Sequence, residues 1–98
     1  MFTVLYKWRI KPWMEAQFIE GWTAITRYYL TKGLSHGSRL HLGSDGLWYG
    51  YARWPSEDAR DEAFADDFEH PERTLMREAI DESFSEVRLE TIVDLIQK

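Results

Sequence analysis

The chain contains no cysteine, so neither a disulfide framework nor thiolate chemistry is open to it. It also lacks an excess of positive charge: 12 Lys and Arg stand against 17 Asp and Glu, for a net charge of −5. The basic residues are scattered among the carboxylates and leave no stripe to attract phosphate backbones, so nucleic acid is not an expected partner. Long hydrophobic runs are missing too, and the opening Met1-Phe2-Thr3-Val4-Leu5-Tyr6-Lys7 has no basic segment followed by an apolar one. No membrane partner is expected, and the cytoplasm is the expected compartment. There is no internal repeat, linker or low-complexity tract, and 98 residues make one domain, 1–98, with a modest core. What the chain has in abundance is aromatic side chains, 15% of residues with five Trp and five Tyr. That load is heavy for so small a domain and points to an interface, a pocket or both.

The aromatic load is densest in Leu47-Trp48-Tyr49-Gly50-Tyr51-Ala52-Arg53-Trp54, bounded by Asp45-Gly46 before and Pro55-Ser56 after. That pattern predicts a β-strand running into a helix. One strand face carries Trp48, Gly50, Ala52 and Trp54, and the other Leu47, Tyr49, Tyr51 and Arg53. Both faces are apolar enough to need covering. On the first, Gly50 and Ala52 remove volume between two indoles, which either admits a closely packed helix or leaves a hollow for a ligand.

The remaining chain supplies the partners. Phe2 to Lys11 alternates, with Phe2, Val4, Tyr6, Trp8 and Ile10 on one side, and Pro12 then ends the strand and opens a helix. From Trp13 to Leu30, Met14, Phe18, Trp22, Ile25 and Tyr29 form an apolar stripe of helical period, stopped at Lys32-Gly33-Leu34. Ser35 to Leu42 predicts a weaker strand, joined through the Gly43-Ser44-Asp45-Gly46 turn to the aromatic strand in antiparallel pairing. Ser56 caps a helix with Ala59, Ala63, Phe64 and Phe68 on its apolar side. After His70-Pro71, Leu75, Met76, Ala79 and Ile80 make the face of another helix, and Ser85 to Ile96 alternates as a final strand. The acidic residues Glu57, Asp58, Asp61, Glu62, Asp66 and Asp67 form a solvated helix face.

This order, β-α-β-β-α-α-β, is an α+β ferredoxin-like pattern: a four-stranded antiparallel sheet with helices on one face. The other face then holds Leu5, Tyr49 and Tyr51 with Lys7, Arg9 and Arg53, too apolar for a solvated surface and too charged for a core. A homodimer pairing through this face, with its basic residues meeting carboxylates such as Glu86 or Glu90, resolves the conflict.

The Trp54-Pro55-Ser56-Glu57-Asp58-Ala59 passage, with the Asp45-Gly46 hairpin upstream, resembles the antibiotic biosynthesis monooxygenase-like superfamily, in which a Trp, a Ser and an acidic run lead from the third strand into the second helix. Element order matches over nearly the whole chain. The resemblance implies a dimeric α/β barrel with a pocket in each subunit between helices and sheet. It also implies, as candidate activities, cofactor-free oxygenation of aromatic or quinol-type substrates, with no cofactor required, or a non-catalytic ligand-binding or dimerisation module. The haem-degrading branch places an Asn on the first strand, where this chain has Trp8; an indole lacks the amide's hydrogen bonding and fills porphyrin space, so haem degradation is disfavoured.

Within that frame Trp8, Trp22, Trp48, Trp54, Phe64 and Tyr6 are candidate pocket walls, with core packing as the alternative use of the indoles. Ser38 and His36 lie on a face able to hydrogen-bond a phenolic or carbonyl ligand. His70 is either a cap at its helix start or an acid-base group, and His70 and His36 are the candidate catalytic residues. His36 and His41 fall on opposite strand faces and cannot share a metal, so no metal site is expected.

Overall fold

The computed structural model describes residues 2–65 and 70–96. The elements are β1 (Phe2–Ile10), α1 (Glu15–Thr31), β2 (Gly37–Leu42), β3 (Trp48–Trp54), α2 (Glu57–Ala65), α3 (Pro71–Ala79), β4 (Ile80–Ser83) and β5 (Val87–Glu90). The sheet is antiparallel, with β3 between β2 and β1. On its far edge β1 has two short partners: β5 pairs with Phe2 to Leu5, and β4 with Trp8 to Ile10. Where β4 ends, the Phe84 amide donates to the Lys7 carbonyl at 3.0 Å, and the chain bulges past Tyr6 before β5 begins.

The helices cover one sheet face, as the patterning requires. Val4, Ile25, Tyr29, Ala52, Trp54 and Ala63 form one buried cluster, and Trp8, Ile10, Phe18 and Ala79 another. α1 and α3 approach closely because Gly21 has no side chain: a Cβ there would lie 2.7 Å from the Glu72 carbonyl oxygen and 2.8 Å from the Met76 nitrogen. The α1 stop is as the sequence reads, with Gly33 at φ 71° and the Leu34 amide bonded to the Tyr29 carbonyl.

Several expectations need correcting. Ile80 belongs to β4 rather than to the last helix, so the sheet has five strands instead of four. The Ser85 to Ile96 strand shrinks to Val87–Glu90, because beyond Glu90 no neighbouring strand is present among the described residues to pair with. α1 starts at Glu15, since Trp13 turns left-handed at φ 68° with its indole exposed and the Met14 amide closes a turn onto the Lys11 carbonyl. β2 starts at Gly37, whose φ of 109° only glycine adopts readily. Phe68, Asp66 and Asp67 lie outside the described residues. Among the described residues no helix is long and apolar enough to cross a membrane.

Candidate functional site

A cavity of about 310 Å³ lies between the helices and the sheet. Its floor comes from the alternation of β1 and β3, where the register sets Tyr6 opposite Gly50 and Val4 opposite Ala52, so that Tyr6, Trp8, Gly50, Ala52 and Trp54 share one face. Gly50 answers the question its pattern posed: a Cβ there would sit 2.8 Å from Cη2 of Trp8, so the missing side chain is replaced by that indole. The cavity opens beside this pair. Ile25, Thr26, Tyr29 and Trp22 of α1 and Arg73 and Met76 of α3 roof it, four and three residues apart as one helix face requires. Phe64 of α2 closes one side, stacked near-parallel between Tyr6 at 6.2 Å and Tyr29 at 5.9 Å and edge-on to Trp54 at 5.7 Å. Ser83 at the end of β4, with Phe84 and Glu86 from the bulge between β4 and β5, closes another.

The polar groups are mostly donors. Arg73 Nη2 donates to the Tyr29 hydroxyl at 2.9 Å, and Arg60 Nε to the Tyr6 hydroxyl at 3.3 Å. Arg60 is buried, its guanidinium 4.0 Å from the Phe64 ring centre. Its remaining nitrogens reach Asp61 at 3.2 Å and Glu86. Glu86 Oε2 in turn lies 3.3 Å from Arg88 Nε, and Arg88 donates to Glu57 at 2.6 Å and Asp61 at 3.1 Å. A ladder of charges thus runs from Tyr6 to the surface, joining α2 to β5. Burial pushes the Tyr6 phenol up, with the Arg60 hydrogen bond and charge opposing it. Hydrogen bonds from Arg88 and Arg60 hold the Asp61 carboxyl below the usual range.

On the residues that line the cavity, two buried donors, the Trp54 indole N–H and the Arg73 Nε–H, have no acceptor among the described residues, and one buried acceptor, Glu86 Oε2, has no hydrogen-bond donor among them. A buried donor left without a partner costs about 1–3 kcal/mol, which a ligand oxygen would relieve.

Of the residues singled out in the sequence, Tyr6, Trp8, Trp22, Ser38, Trp54 and Phe64 line this cavity. Trp48 does not; it packs edge-on against Phe18 at 5.9 Å. The two histidines are not brought together. His70 caps α3, its Nδ1 accepting from the Glu72 amide at 3.1 Å, and its ring meets Tyr28 edge-on. His36 lines a separate open groove of about 930 Å³ with Tyr51, Arg53 and residues 89–96. Glu86 points away from the bare sheet face assigned to it and pairs with Arg60 beneath the helices. Glu57 and Asp61 are likewise engaged with Arg88 rather than simply solvated. Sequence reading missed Tyr29, Arg73, Glu86 and the buried Arg60. A signal existed for two of them, since Arg73 lies one helical turn before Met76 and Arg60 precedes Phe64 by four residues on the face toward the sheet.

No family model matches the chain, and no curated protein matches by sequence. Solved structures do match. The chain superposes on the N63A mutant of SnoaB, a cofactor-independent oxygenase from Streptomyces nogalater, with a TM-score of 0.80 at 16% identity over 98% of this chain and 97% of that one. Rv0793 from Mycobacterium tuberculosis matches with a TM-score of 0.76 at 14% identity, over 97% of this chain and 98% of that one. A further crystal structure, of an antibiotic biosynthesis monooxygenase, matches with a TM-score of 0.76 at 16% identity over 95% of this chain and 100% of that one. The chain therefore has the fold of the antibiotic biosynthesis monooxygenase-like superfamily, the ferredoxin-like architecture that its passage from Trp54 into α2 resembles.

Proposed function

We propose that this protein binds a planar aromatic small molecule bearing a carbonyl, enol or phenol oxygen in the cavity between helices and sheet, and oxygenates it without a cofactor. The observation that carries this reading is the pair of unsatisfied buried donors, Trp54 Nε1 and Arg73 Nε, on residues of a cavity whose walls include Tyr6, Trp8, Trp22, Tyr29, Phe64 and Phe84. Aromatic walls suit a flat ring system, and the two donors suit an oxygen on its edge. The volume of about 310 Å³ is roughly twice the ~150 Å³ that takes a benzene, which gives room for two or three fused rings.

The chemistry asks little of the protein. A ring CH2 beside a carbonyl, once deprotonated, is an electron-rich carbanion that can itself reduce oxygen. The carbon binds O2 to give a hydroperoxide, and loss of water leaves a new carbonyl, so CH2 and O2 become C=O and H2O. The chain's part is to exclude water, hold the ring and stabilise the enolate oxygen with Trp54, Arg73 and the tyrosines. The SnoaB likeness supports an oxygenase over other uses of this fold.

The second part of the proposal is a homodimer through the bare sheet face with Leu5, Tyr49, Tyr51 and Arg53. It is supported by the exposure of Val87 and Leu89 beside that face, and of Ile92, Val93, Leu95 and Ile96 beyond β5. Sedimentation across a dilution series tests it; a stable monomer throughout refutes it.

Oxygen uptake with an anthrone and a hydroquinone, with product oxygen traced from labelled O2, tests the reaction. Uptake lost in Trp54→Phe and Arg73→Met supports it. No uptake from either substrate, with the ligands still bound, makes the protein a binding module of the same fold.

A further inference from the structure

An enolate forms only if some group takes the ring proton, and neither candidate histidine stands at the cavity: His70 caps α3 through Nδ1, and His36 lines the separate groove. The titratable and charged groups that do line it, among the described residues, are Tyr6 and Lys7 on β1, Tyr29 on α1, Arg73 on α3 and Glu86 between β4 and β5. Phenols, an ammonium and a guanidinium carry their protons near neutrality, so Glu86 alone brings an ionised acceptor. A bulge aims it. Ser83 pairs with Trp8 and Val87 with Leu5, while the Phe84 amide donates to the Lys7 carbonyl, so Ser85 and Glu86 together oppose Tyr6. That extra residue re-aims a side chain, and Glu86 comes to line the cavity. Its two oxygens then differ. Oε1 receives Arg60 Nη2, whereas Oε2 is buried with no hydrogen-bond partner among the described residues, Arg88 Nε standing 3.3 Å away as a charge contact that does not donate. The Glu86 side chain as a whole is 31% exposed, so the same residue meets both cavity and solvent.

We propose that Glu86 is the catalytic base of this site, its Oε2 taking a proton from the ring CH2 of the bound ligand. The assignment goes beyond the ligand reading above and rests on it. In the step a ring C–H bond breaks, an Oε2–H bond forms, and the electron pair passes into the enolate, whose oxygen accepts from Trp54 and Arg73. Once the carbanion has reduced O2 and bound it, the protonated carboxyl returns its proton to the peroxide, giving the hydroperoxide, and loss of water leaves C=O. One CH2 and one O2 are consumed, and one C=O and one H2O are released. An oxygen without a donor suits this role, because it gives up no existing hydrogen bond when it is protonated. Arg60 is a positioning residue, fixing the carboxylate through Oε1 so that Oε2 is the oxygen left to react.

The test uses anthrone in deuterated buffer without oxygen, so that proton removal is read apart from oxygenation. Deuterium entering the ring CH2 is followed by NMR at saturating protein, and binding by tryptophan fluorescence. Wild-type protein should exchange the CH2 faster than buffer alone, and Glu86→Gln should lower that rate at saturation about 100-fold or more while anthrone still binds. A merely structural Glu86 would change the affinity and leave the saturated exchange rate where it was in wild type, which overturns the proposal. Should Glu86→Gln fail to fold, Glu86→Asp decides: it keeps the charge and withdraws the oxygens by one methylene, so saturated exchange should fall about tenfold or more. Exchange undiminished in Glu86→Asp overturns the proposal. Wild-type protein that binds anthrone without speeding its exchange also overturns it, leaving the cavity reading intact. Anthrone that does not bind at all overturns both.

Discussion

Replacing Gly21 by Ala tests whether the helix layer over the cavity is as tightly seated as the structure has it. The added Cβ would meet the Glu72 carbonyl oxygen at 2.7 Å, the Met76 nitrogen at 2.8 Å and the Met76 Cβ at 2.9 Å. Two of these are backbone atoms of α3, so no rotamer change relieves them, and α3 has to move away from α1. Overpacking of this kind costs about 1–3 kcal/mol, and three contacts below 3.0 Å at once put the site at the upper end. Alanine recovers about 1 kcal/mol of helix propensity, which leaves a net loss of about 2 kcal/mol. For a domain of this size that lowers Tm by about 10 °C. Thermal and urea unfolding followed by circular dichroism, at one fixed protein concentration, measures it. Because Arg73 and Met76 ride on α3, ligand affinity should fall as well. A Gly21→Ala protein as stable as wild type would refute the close packing of α1 on α3.

Gly50→Ala should cost about 1–3 kcal/mol and weaken ligand binding, since its Cβ would lie 2.8 Å from the Trp8 indole and must tilt that ring; denaturant unfolding and fluorescence titration measure the two effects. His70→Ala should lose the α3 cap, about 1 kcal/mol of stability, while folded protein keeps its oxygen uptake. Loss of uptake there would instead make His70 a catalytic group. Asp61→Asn should lower stability at neutral pH and not in strong acid. The folded Asp61 carboxyl titrates below its unfolded value of 3.8, so its contribution is present above that value and vanishes as pH falls through the depressed one. Urea midpoints for the two proteins should therefore converge on acidification, and a constant gap would refute the Arg88 and Arg60 pairing as its cause.

The fold was legible wherever one face of an element is apolar and the other is not. β1 and α1 show that contrast over many residues, while β3 stands out by its aromatic density between turn signals, and its pairing with β2 follows from the Asp45-Gly46 turn. β4 was hidden because Ile80 continues the four-residue spacing from Met76, so a helix reading absorbs the strand's one apolar residue. The final strand was overread because Thr91 to Ile96 alternates like a strand, and alternation says nothing about whether a neighbour exists to pair with. The cavity floor could be read from Tyr6, Trp8 and Trp54 flanking Gly50 and Ala52. Its polar half could not, because Arg60 and Arg73 look like surface cations in a charged helix until burial and the Tyr6 and Tyr29 oxygens give them a purpose. The histidines attracted attention for their chemistry alone, and that chemistry carries no information on distance from the aromatic walls.

The most direct test of the account is an amide and indole NMR spectrum of the protein titrated with a hydroxyaromatic ligand. The Trp54 and Trp22 indole N–H signals should move together and saturate with one affinity, while the exposed Trp13 and the Phe18-packed Trp48 stay in place. Movement confined to Trp13 or Trp48, with Trp54 unchanged at saturation, would contradict the claim that ligands enter between the helices and the sheet.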